Sequence, residues 1–172
     1  FDVDDIETHG GSIRIYARHA EDASKPVHAR VTAMKEKEKA AGHFDLQSYF
    51  TYGERVKESK REILTFLIDA KRRGKSVAAY GAPGKGNTLL NYCGIRTDLI
   101  DYTVDRSPHK QGNFLPGTRI PIHAPDKVRE TKPDYLFLLP WNLKDEIMKQ
   151  MADVRSWGCK FVVPLPKVQV LD

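Results

Sequence analysis

The sequence predicts an α/β fold: a parallel sheet with helices on both faces, preceded by a β-hairpin and a helical stretch. Three observations predict it. Short apolar runs alternate with helical patterns from Lys75 onward. The run Tyr135-Leu-Phe-Leu-Leu139 is apolar throughout, as a strand buried on both faces must be. The first 18 residues alternate with a period of two around the pair Gly10-Gly11.

The elements follow in chain order. Phe1, Val3 and Ile6 form one apolar set, and Ile13, Ile15 and Ala17 alternate with Arg14, Tyr16 and Arg18. Two such runs around Gly-Gly read as a hairpin, and an isolated hairpin is marginal without further strands. Pro26 suits a first helical turn, residues 27–41 are helix-forming, and Gly42 ends them. The Lys35-Glu-Lys-Glu-Lys39 run reads as a solvated face. Residues 44–73 place apolar side chains at helical spacing, with Asp45 as N-cap, a basic last turn and Gly74 as the stop. Residues 76–80 are the first strand of the sheet, and residues 87–93 a helix closed by Gly94. Strands follow at 99–104, 119–122, 134–139 and 160–163, with helices at 125–131 and 143–157. Ile147, Met151 and Val154 mark the buried face of the last helix. Residues 167–171 alternate as an edge strand.

Composition bounds the function. The 172 residues carry 28 Lys+Arg against 23 Asp+Glu, a net charge of +5. The excess is spread evenly, 15 basic against 13 acidic residues up to Lys75 and 13 against 10 after it. No basic arm stands out, which argues against nucleic acid as a partner. No apolar run is long enough to span a bilayer, so no membrane association is expected. Cys93 and Cys159 lie outside any Cys-x-x-Cys motif, and the six histidines are scattered. No metal site is expected, and two isolated thiols fit a reducing, cytoplasmic setting. The chain opens at Phe1 in mid-pattern, which leads to the expectation that it is the end of a longer protein.

Ligands of open parallel sheets bind outside the carboxyl ends of the strands. That rule selects the loop Gly81-Ala-Pro-Gly-Lys-Gly-Asn-Thr88, the loop opening at Asp105, the Pro140-Trp-Asn142 segment and Pro164-Leu-Pro166. In the first, Gly81, Gly84 and Gly86 permit close backbone approach, Lys85 adds a positive charge, and Asn87 and Thr88 open a helix. The named phosphate motifs fail. Gly86 follows Lys85 where a Walker A loop needs Ser or Thr, and Leu89 sits where a dinucleotide loop needs its third glycine. A tight turn kept for packing remains the other reading. Asp105 stands where a ribose-binding carboxylate belongs, or caps a turn. Arg106, His109, Lys110 and Gln111 follow it. Trp141 can stack on a ring, and Asn142 is expected to cap the next helix. His9 lies at the hairpin tip, where a lone surface histidine is usually inert.

Several of these stretches together resemble one family. Thr8-His-Gly-Gly-Ser-Ile-Arg14 is similar to the closing hairpin of the S-adenosylmethionine domain in sugar C-methyltransferases. Gly81-Ala-Pro-Gly-Lys-Gly-Asn-Thr88, Asp105-Arg-Ser-Pro-His-Lys-Gln-Gly112, Leu115-Pro-Gly117 and Leu139-Pro-Trp-Asn142 resemble their C-terminal domain. The resemblance implies methylation at carbon 3 of a nucleotide-linked 4-keto-deoxysugar. It implies residues 1–18 as the end of the methyltransferase domain, 19–74 as a helical linker, and 75–172 as a Rossmann-like C-terminal domain. The S-adenosylmethionine loop and the catalytic base then lie upstream of Phe1, and this piece alone is expected to be inactive. The implied substrate contacts are His9, Ser12, Gly81, Gly84, Lys85, Gly86, Asn87, Thr88, Asp105, Lys110, Trp141 and Asn142. His9 lies outside the family's base motif. A free-standing nucleotide-binding module and a non-binding bracing or oligomerisation domain are the alternatives, and the oligomeric state is left open.

Overall fold

The computed structural model describes all residues, Phe1–Asp172. The chain forms two compact units, Phe1–Arg55 and Val56–Asp172.

In the first unit, β1 (Asp2–Ile6) pairs antiparallel with β2 (Ser12–Tyr16), Val3 opposite Ile15 and Ile6 opposite Ser12. The turn is a single 3₁₀ turn, Thr8–Gly10, in which His9 adopts φ 57°. A non-glycine residue there is uncommon, and the flexible pair Gly10-Gly11 absorbs the rest of the reversal. Helix α1 (Ala29–Ala40) is held to β1 by charge, since it buries no residue of its own. The Arg30 guanidinium forks between Asp2 and Asp4, and Lys37 Nζ lies 3.0 Å from Asp5. Only Asp2 is buried among these carboxylates, so its pairing with Arg30 is the contact whose loss would cost most. The helix starts at Ala29 rather than at Pro26, with His28 extended before it.

Helix α2 (Leu46–Arg72) runs from the first unit into the second. Asp45 caps it as expected, its Oδ1 accepting the Gln47 amide at 3.0 Å. Its later turns bury Ile63, Leu67 and Ala70, and Gly74 ends it at φ 69°.

The second unit holds a six-stranded sheet made of β3 (Val77–Tyr80), β4 (Thr103–Val104), β5 (Ile122–His123), β6 (Tyr135–Leu138), β7 (Lys160–Val163) and β8 (Gln169–Leu171). The strand order is β5-β4-β3-β6-β7-β8, with all pairs parallel except β7 and β8. This is the doubly wound order, and its reversal lies between β3 and β6. Successive side chains point to opposite faces. Val77, Ala79, Phe137 and Leu139 join Ile63, Leu67 and Leu90 on one face. Ala78, Tyr80, Leu136 and Leu138 join Ile147, Met151 and Phe161 on the other. The unbroken apolar runs of the sequence thus have their cause in a sheet covered twice. At the start of β3 and β6, Asp134 accepts the Ser76 amide at 2.9 Å and Lys75 Nζ at 2.8 Å, which sets the register of the central pair.

In the second unit, four elements depart most from expectation. The helix expected at 87–93 is α3 (Gly84–Cys93), which begins three residues earlier, directly after Pro83. The strand expected at 99–104 keeps only Thr103–Val104, because Leu99 and Ile100 turn back to bond the Arg96 carbonyl. The strand expected at 119–122 shifts to Ile122–His123, past Arg119 at φ 57°. The helix expected at 143–157 divides into α5 (Lys144–Gln150) and a 3₁₀ segment, Ala152–Trp157. The tighter winding still turns Ile147, Met151 and Val154 into the core. A short α4 (Asp126–Thr131) covers the same face through Val128.

Both cysteines are free and buried. Burial, with the Asp134 carboxylate nearby, pushes the Cys159 thiol up to about 12, and burial also raises that of Cys93. Neither thiol should react with a disulfide reagent at pH 8 in the native chain, and both should react in denaturant. Rapid native labelling of either would contradict this packing.

Candidate functional site

The reversal of strand order places a crevice where the chain leaves β3 and β6. Gly81 leaves β3 at φ 89°, and a Cβ there would lie 2.7 Å from Pro140 Cδ, so the two strand-end loops touch. Gly86 has a similar reason, since a Cβ would lie 2.7 Å from Leu139 Cβ. These two glycines serve packing of α3 and the β6 loop. Gly84 differs: nothing lies within 4 Å of its Cβ position, and its φ is not left-handed.

Gly84, Lys85, Gly86, Asn87 and Thr88 form the first turns of α3 rather than a loop. A first helical turn leaves its N–H groups without intrahelical acceptors, and no side chain caps this one. Thr88 turns its hydroxyl back onto the Gly84 carbonyl at 3.1 Å. The buried Oδ1 of Asn87 has no hydrogen-bond partner, a costly state for a polar atom.

Lys85 and the β6 loop meet directly. The Lys85 ammonium donates to Asn142 Oδ1 and sits 4.9 Å from the Trp141 ring centre. Asn142 therefore does not cap α5, as expected from its position; the neighbouring cation takes its oxygen, and no side chain caps that helix. Trp141 presents a face, with Lys85 over it.

Asp105 fastens the opposite side. Its Oδ2 accepts the Ala82 amide at 2.7 Å and Lys110 Nζ at 3.2 Å, and its Oδ1 accepts the Ser107 amide at 2.9 Å. Lys110 also donates to the Ala82 carbonyl at 3.1 Å, and Gln111 to the Asp105 carbonyl at 2.9 Å. Burial opposes ionisation of Asp105, but these amides and Lys110 outweigh it and hold its carboxyl below the ordinary value. The carboxylate thus braces the β3 loop against the β4 loop.

Between these braces lies a cleft of about 180 Å³, lined in part by Tyr80, Gly81, Asp105 and Lys110. Arg106, Glu146 and Gln150 also line it. Sequence reading passed over Tyr80, Glu146 and Gln150. The four-residue spacing of Glu146 and Gln150, one helical turn, was the available signal. His9 and Ser12 belong to the other compact unit; His9 is exposed, and Ser12 Oγ donates to the Thr8 carbonyl at 2.9 Å.

A doubly wound α/β unit with polar strand-end loops is the class of protein that this fold and cleft define. The chain belongs to the C-methyltransferase C-terminal domain family, whose model matches residues 7–166. It is 35% identical to the C-methyltransferase NovU of Streptomyces niveus, over 99% of this chain and 40% of that protein. The chain thus spans about 40% of the length of this relative. No helix is long and apolar enough to cross a membrane, and no cluster of His, Cys, Asp and Glu could hold a metal ion.

Proposed function

We propose that this chain is the substrate-side portion of an S-adenosylmethionine-dependent C-methyltransferase acting on a nucleotide-linked 4-keto-deoxysugar. On this reading residues 1–18 close a methyltransferase sheet, 19–74 link, and 75–172 form the substrate-side domain. Two buried, unpaired thiols favour a reducing cytoplasm.

The cofactor does not fit the residues here. The cleft of about 180 Å³ is smaller than the ~300 Å³ at which pockets for drug-sized ligands begin. Both oxygens of the one strand-end carboxylate, Asp105, are engaged within the chain. Nor does this chain supply the base that takes the proton from the carbon beside the keto group, a role that needs a group poised within reach of that carbon. Its contribution is to hold the substrate in place.

The observation that carries the reading is the open first turn of α3. Gly84 leaves space, the turn has no capping side chain, and Lys85 within it carries a positive charge. An anion such as a diphosphate suits such a turn. Titration of ¹⁵N-labelled chain with a millimolar nucleoside-diphosphate hexose should move the amides of residues 81–91. If none moves, the domain is structural only.

A further inference from the structure

We propose that the cleft beside Tyr80 and Gln150 is a sugar-ring subsite, which reads ring hydroxyls while the diphosphate stays outside at the start of α3. The proposal rests on the reading of the chain as a substrate-side domain and assigns the parts of one ligand within it.

Charge is the first argument. The cleft is lined by two cations and two anions, already paired: Lys110 with Asp105 at 3.2 Å, and Arg106 with Glu146 at 3.4 Å. A lining of zero net charge offers a phosphate no net attraction. Lys85, which pairs with no carboxylate, is not part of the lining; it donates to Asn142 and lies over Trp141. The structure therefore separates an anion-favouring turn from a neutral, polar cleft.

The second argument is hydrogen-bond chemistry. A hydroxyl both donates and accepts, so its site needs donors and acceptors side by side. Tyr80 donates its hydroxyl to Gln150 Oε1 at 3.0 Å, which turns the Gln150 amide nitrogen into an available donor. Glu146 keeps an acceptor oxygen beyond its contact with Arg106, and Arg106 keeps further N–H donors. Tyr80 itself is 4% exposed and anchored in the core, so it positions the amide rather than meeting the ligand. Burial raises the Tyr80 hydroxyl above its ordinary value, so it remains a donor at neutral pH.

The third argument is shape. Pro83, Pro140 and Leu143 supply apolar wall for the carbon face of a ring. The cleft of about 180 Å³ lies below the range of pockets that enclose drug-sized ligands, a scale that suits one ring better than a whole nucleotide-sugar. Gly81 and Pro83 border the cleft and lead directly into α3, so a diphosphate on that turn can carry its ring into the cleft.

The test uses the 172-residue chain, ¹⁵N-labelled, with UDP-glucose, UDP and inorganic pyrophosphate as probes, and the variant Gln150→Ala. Gln150 is exposed and outside both cores but accepts the buried Tyr80 hydroxyl, so the variant should melt a few degrees lower, and a single cooperative transition shows that it folds. UDP-glucose should move the Gln150 side-chain amide and the backbone at 146–150, and Gln150→Ala should weaken it at least fivefold. Pyrophosphate should move residues 84–88 only and bind the variant equally well. If UDP alone moves Gln150 and loses the same factor, the ring in the cleft is the ribose; if only UDP-glucose does, it is the hexose. Either result supports the subsite. If UDP-glucose moves residues 84–88 but not 146–150, and Gln150→Ala changes nothing, the subsite is overturned and the anion turn stands. If no probe moves any amide, the substrate-side reading itself falls.

Discussion

Replacing Asp105 with alanine is expected to lower the melting temperature of the chain by about 6 to 12 °C. The carboxylate accepts the Ala82 and Ser107 amides and the Lys110 ammonium. Its side chain is only 14% exposed, so water replaces it poorly. Each buried donor left without an acceptor costs about 1–3 kcal/mol, and the total is set at about 3 kcal/mol. Asp105→Asn keeps one acceptor oxygen and should lose about half as much. The pH dependence has a definite sign. The folded carboxyl titrates below its unfolded value, so its stabilisation is complete above that value, about pH 4. It is lost as the pH falls through the lower, folded value. The gap in melting temperature between parent and Asp105→Ala should therefore be constant from pH 5 to 8 and narrow below pH 4. A gap that narrows toward pH 8 would contradict the brace.

The contrast between Gly86→Ala and Gly84→Ala carries the second large effect. At Gly86 the added methyl would meet Leu139 Cβ at 2.7 Å and Pro83 Cγ at 3.2 Å. The helix must then lift from β6, at a cost of about 1–3 kcal/mol. At Gly84 the methyl meets nothing within 4 Å, so stability should be unchanged or rise by up to about 1 kcal/mol. Chemical denaturation of both variants measures this directly. Equal losses would mean that the whole Gly-rich segment serves packing alone. A stable Gly84→Ala that binds nucleotide-sugar more weakly would assign the open space at Gly84 to the ligand.

Much of this fold was legible because burial on both faces leaves a plain signature. Tyr135 to Leu139 and Lys160 to Val163 read as strands, and the structure makes them the adjacent interior strands β6 and β7. The start of α3 was not legible. Two glycines within four residues disfavour a helix by about 1 kcal/mol each, so Gly84-Lys-Gly86 reads as loop. Pro83 and the close fit of Gly86 on Leu139 override that preference. The same limit applies to the site. The strand-end rule selects the loops bearing Gly81, Lys85, Asp105, Trp141 and Asn142 as ligand candidates, and in the structure Lys85 meets Trp141 and Asn142 while Asp105 meets Ala82. Partners were less visible. Asn142 before a helix looks like a cap, and only tertiary proximity of Lys85 diverts it. Tyr80, Glu146 and Gln150 look like a strand end and a solvated helix face until packing brings them together.

Under the proposed function, this chain holds the substrate and does not carry the reacting groups. Steady-state kinetics of Lys85→Ala in the full-length methyltransferase tests that most directly. A charge-assisted contact of about 1.5–3 kcal/mol corresponds to a ten- to hundredfold change. The KM for the nucleotide-sugar should rise about tenfold or more while kcat stays within twofold, the signature of lost uniform binding. A KM within twofold of the parent, or a loss confined to kcat, would contradict it.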